Sequence, residues 1–71
     1  MKPMKLADVR RLKVERGLPL LKTLEEARAV VGNQPRTCVR NMAVALSLHT
    51  HSNTAEDWRR LEAALMVLAK R

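Results

Sequence analysis

Five polar side chains cluster between positions 34 and 41: Gln34, Arg36, Thr37, Arg40 and Asn41. On a helix, Arg36 and Arg40 are one turn apart on a single face, with Thr37 and Asn41 on the adjoining strip. Arg can donate two hydrogen bonds to guanine, and Asn or Gln can pair with adenine, so the set suits base edges in a DNA groove. A second basic set, Lys5, Arg10, Arg11 and Lys13, has the chemistry of phosphate contact. A third set is apolar: Trp58, Leu61, Leu65 and Leu68 recur with the spacing of a heptad-like seam, as a dimer or partner interface requires.

Other chemistry is thinly represented. Cys38, His49 and His51 give three potential zinc ligands, one short of a closed site, and two histidines in a polar loop are usually just solvated. Cys38 on the apolar strip of a helix reads as a small core residue rather than a nucleophile. There is no glycine-rich phosphate loop and no carboxylate pair in apolar surroundings, so no catalytic, cofactor or metal residue is assigned. With Trp58 as the only aromatic residue, the chain cannot stack several RNA bases.

The elements that must position these residues read as helices throughout. A first segment, about 5–16, places Leu6, Val9 and Leu12 beside the basic face, and Gly17 with Pro19 stops it. Within it Leu12 to Glu15 alternates and is the one stretch readable as a strand. The second segment, 24–31, opens on a capping box, Thr23 with Glu26, and closes at Gly32. Leu24, Ala27 and Val31 form its inner face. The third, 35–48, starts at Pro35, and its inner strip is expected to be Cys38, Val39, Met42, Ala45 and Leu46. The fourth, 55–70, is capped by Thr54 with Asp57, or by Asn53, and its apolar strip is widened by Met66 and Val67.

Helix, tight turn at Gly32-Asn33-Gln34, and second helix resemble small helix-turn-helix regulators over Leu24 to Leu46. In that family the first residues of the second helix face the base edges, which would assign that role to Arg36, Thr37, Arg40 and Asn41, with Gln34 near the groove. The position four before the turn glycine, where the family has a small residue, is Arg28, flanked by Ala27 and Ala29. The plainer alternative is a helical hairpin whose second helix has a solvated polar start. In size and helical make-up the chain also resembles small phage-encoded anti-activators of quorum-sensing regulators, which implies a helical dimer that inactivates a host protein through a surface around Trp58.

Composition sets the frame for both. The 71 residues carry Lys+Arg 14 against Asp+Glu 7, a net charge of +7. Residues 1–22 hold seven basic and two acidic side chains, and Gly32 to Asn53 holds two arginines and no acid. Such charge suits DNA or an acidic host protein equally, and it also serves solubility. One cysteine excludes an internal disulfide framework and points to a reducing, cytoplasmic setting. No targeting or membrane segment is expected, because the longest charge-free run, Asn41 to Ala55, is only 15 residues and ends polar. So short a chain buries only roughly 60% of its unfolded surface, which argues for a homodimer, and it can hardly enclose an enzyme pocket. The expectation is a single all-α domain of three to four short helices with a helix-turn-helix-like centre. It would be a non-catalytic DNA-binding regulator or, alternatively, an inhibitor of a host regulatory protein.

Overall fold

A computed structural model describes residues 2–69. The fold is all-helical, with no strand among the described residues. Helix α1 spans Leu6–Glu15, α2 Leu24–Val31, α3 Arg36–Leu48 and α4 Ala55–Ala69, with a short 3-10 turn at Thr50–Ser52 before α4. The expected end of the fourth helix at Lys70 lies outside the described residues.

Local chemistry fixes the helix ends. After α1, Gly17 takes φ +72°. There the Leu18 N–H donates to the Lys13 carbonyl at 2.8 Å and the Gly17 N–H to the Val14 carbonyl at 3.0 Å. This crossed pair satisfies carbonyls that the helix leaves open, and Gly adopts the left-handed turn without steric cost. At α2 the Thr23 Oγ1 accepts from the Glu26 N–H at 3.2 Å. The Glu26 carboxylate accepts from the Thr23 hydroxyl at 3.4 Å. At α4 the box is fully reciprocal: Asp57 N–H donates to Thr54 Oγ1, and Thr54 N–H to Asp57 Oδ2, each at 3.2 Å. Pro35 is the residue before α3 rather than its first, a shift of one position.

The core is organised around α4, on which α1, α2 and α3 all pack. Leu61 to Met66 are buried without interruption, because a helix flanked on several sides has no solvent face along that stretch. Ala63 and Ala64, both fully buried, let neighbouring backbones come close. Trp58, Leu61 and Leu65 are buried within the single chain, and Leu68 is half-buried. The seam expected to meet a second subunit is therefore core, and its extra width is taken up by α1, α2 and α3.

The inner strip of α3 also differs from expectation. Val39 and Ala43 are buried, with Met42 and Leu46 half-buried beside them. Cys38 and Ala45 are exposed. Small residues occur on both sides of this helix, so the sequence pattern permits two rotations about its axis, and packing on α4 selects one.

The largest departure is ionic. Glu62, with no exposed surface, lies on the face of α4 toward α1. Its Oε1 accepts from Lys13 Nζ at 2.6 Å and from the Leu21 N–H at 2.9 Å, and its Oε2 accepts from Arg10 Nε at 3.2 Å. Lys13 is only 2% exposed. A buried carboxylate is tolerable only when paired and hydrogen-bonded, and three donors meet that requirement here.

Candidate functional site

An open groove of about 450 Å³ runs between the N-terminal segment, the first turns of α3 and the end of α4. Leu6, Leu65 and Leu68 contribute apolar surface, and Lys5, Arg36 and Arg40 contribute the charge. Among the described residues, no acidic one lines it. The volume matches that of typical ligand pockets, so even a chain of this size forms one, as an open depression rather than an enclosed chamber.

Each wall is held by identifiable bonds. The Met4 N–H donates to Ser47 Oγ at 2.9 Å, and Ser47 Oγ donates to the Ala43 carbonyl at 2.7 Å, which fastens the segment before α1 to α3. Arg36 Nη2 donates to the Leu68 carbonyl at 3.1 Å. A cation belongs there, because the last carbonyls of a helix carry partial negative charge and lack intrahelical donors. The guanidinium keeps further N–H groups that this single bond does not use. Arg40, one turn on, makes no hydrogen bond or ion pair among the described residues and stands exposed.

The residues expected to contact DNA are distributed unevenly. Arg36, Thr37, Arg40 and Asn41 are all exposed on α3. Gln34 is exposed but its Nε2 donates to the Val31 carbonyl at 2.7 Å, capping α2 instead of projecting outward. Of the expected phosphate contacts, Lys5 is exposed at the groove. Arg11 is exposed, 3.8 Å from Asp8 and 3.9 Å from Glu15. Arg10 is held by Glu62, and Lys13 is enclosed with it, so the ammonium of Lys13 is not on the phosphate-facing surface assigned to it. Burial of one turn of the basic face is the physical reason: Arg10 and Lys13, three apart, are the part of α1 that meets α4.

Helices α2 and α3 each pack chiefly on α4. Trp58 is 1% exposed, so its own side chain lies in the core rather than on a contact surface; the Arg16 guanidinium lies over its ring at 5.1 Å. Trp58 Nε1 is buried with no hydrogen-bond acceptor among the described residues. Cys38 is too exposed to be the expected core residue, and His49 and His51 sit edge to face with ring centres 6.3 Å apart. Among the described residues no three His, Cys, Asp or Glu side chains are grouped to hold a metal ion, and no helix is long and apolar enough to cross a membrane.

Sequence reasoning missed Glu62 and the groove. A signal for Glu62 existed: it is the lone acid in the apolar run Leu61 to Leu68, opposite a helix rich in cations. The groove left no such signal, since its walls come from opposite ends of the chain. Comparison of the chain with protein-family models, with curated proteins and with solved structures finds no match.

Proposed function

We propose that this protein is a non-catalytic binding module that acts by occupying an acidic partner protein, in the manner of the small anti-activators that its size and helical make-up resemble. The observation that carries this reading is the combination of an apolar groove floor with a rim of Lys5, Arg36 and Arg40. A DNA duplex offers phosphates and base edges but little that would fill an apolar floor. An acidic amphipathic segment of a protein offers both carboxylates and apolar side chains. Arginines partly fixed beside apolar surface are typical energetic centres of protein interfaces.

The test is affinity capture on the immobilised protein, from lysate of the cells in which it naturally occurs, with and without nuclease. A discrete protein that survives nuclease, and is lost with Arg40→Glu, is the expected result. Recovery of nucleic acid alone overturns the reading.

The helix-turn-helix-like reading has its own supporting observation: Thr37, Arg40 and Asn41 all stand exposed on α3. If the helix reads bases, Arg36→Ala and Arg40→Ala each cost about 1–3 kcal/mol on a duplex selected from a random pool. If no sequence is enriched from the pool, this second reading fails.

A further inference from the structure

We infer that the groove is the docking site for one acidic amphipathic helical segment of the partner. An apolar side chain would rest against Leu6 and Leu68, which are half-buried in the groove, and carboxylates would meet Lys5, Arg36 and Arg40. This deepens the protein-partner reading and rests on it. Charge complementarity names the occupant: among the described residues, three cationic side chains and no acidic one line the groove. The apolar lining disfavours a purely ionic ligand, because covering the half-buried Leu6 and Leu68 is favourable only against apolar atoms.

The Arg36 guanidinium and the backbone leading to Lys5 are placed before any partner arrives. Arg36 is anchored on the Leu68 carbonyl, and Lys5 follows Met4, itself bonded to Ser47. A held guanidinium loses less freedom on binding than a loose one, so more of its attraction appears as affinity. Arg40 carries no internal partner among the described residues, so its full donor set faces the ligand. Met4, on the other wall, is the adaptable apolar contact that a variable partner side chain needs.

The probe is a capped helical peptide of about 20 residues, longer than the ~12–15 below which an isolated helix is marginal in water. Leucines occupy one face and glutamates flank them; one control replaces every Glu by Lys, another every Leu by Ser. Backbone NMR of the full chain should show the acidic peptide shifting Lys5, Leu6, Arg36, Arg40 and Leu68. The two controls should bind at least about tenfold more weakly, equivalent to one decade in Kd. Arg40→Glu, an exposed position whose fold is checked by Trp58 fluorescence, should weaken the acidic peptide by a similar factor and strengthen the Lys peptide. Shifts confined to another face overturn the docking site while leaving an acidic partner possible. No shift with the peptide anywhere overturns both. Equal shifts with a short DNA duplex at Thr37, Arg40 and Asn41 favour the nucleic-acid reading instead.

Discussion

Glu62 and Lys13 form a buried ion pair at 2.6 Å between α4 and α1. Glu62→Leu strands the buried Lys13 ammonium and takes an acceptor from Arg10 and from the Leu21 N–H. Removing one partner of such a pair costs about 3–5 kcal/mol. A chain of this length has only roughly 4–10 kcal/mol of stability in total, so Glu62→Leu should lose about half of it or more. Lys13→Met should cost less, since Arg10 and Leu21 still serve the carboxylate. The double variant should recover only the part due to the stranded ammonium, because the buried Leu21 N–H still lacks its acceptor. Urea unfolding followed through Trp58 measures all three; strictly additive losses would show that the pair is not coupled. On the same probe, Arg16→Ala removes the cation over the Trp58 face. It should lower stability by about 0.5–1 kcal/mol and alter the indole emission without unfolding the chain.

Among the elements, α2 is the one most dependent on its ends, being only 8 residues long. Thr23→Ala removes the acceptor for the Glu26 N–H and should cost about 0.5–2 kcal/mol. Gly32, with φ +76° and ψ −159°, occupies a region essentially restricted to glycine. An added Cβ would meet no atom within 4 Å, so the cost of Gly32→Ala is conformational alone. That cost should be about 1–3 kcal/mol. Thermal melts of the two variants check both values; an unchanged Gly32→Ala melt would mean that the turn relaxes freely. On α4, Leu61→Asp places an unpaired carboxylate at a fully buried position and should abolish the cooperative melt.

The whole molecule has a radius of gyration of 10.9 Å, close to the ~11 Å expected for a folded chain of this length. Packing of three helices on α4 thus completes a core within one chain, and the apolar seam no longer argues for a second subunit. The net charge of +7 leaves the surface self-repelling. Added salt screens this repulsion, since the Debye length falls from about 30 Å at 0.01 M to about 8 Å at 0.15 M. Melting temperature should therefore rise over that range, by roughly 4–8 °C if the relief is worth 1 kcal/mol. The Glu62–Lys13 coupling, being buried, should change little over the same range. A melting temperature that falls with salt would show that attractive surface pairs outweigh the repulsion.

Helix ends were legible because their causes lie within a few residues: Thr23 with Glu26, Gly17 after α1, and Thr54 with Asp57 all behave as local hydrogen bonding requires. The inward positions of Val9, Ala27, Val31 and Val39 were legible for the same reason, since helical period alone puts them on one stripe. Exposure of Arg36, Thr37, Arg40 and Asn41 on α3 also followed from that period. Tertiary structure decided the rest. Which turn of the basic face on α1 would meet α4, and so bury Lys13 with Glu62, depends on how two helices far apart in sequence align. Whether Cys38 or Ala43 faces inward depends on the rotation of α3, because side chains on both flanks are small enough for either choice. The groove exists only where residues 3–6 reach the start of α3 and the end of α4. Burial and concavity are properties of several elements at once, and a periodicity read along one element carries no term for the others.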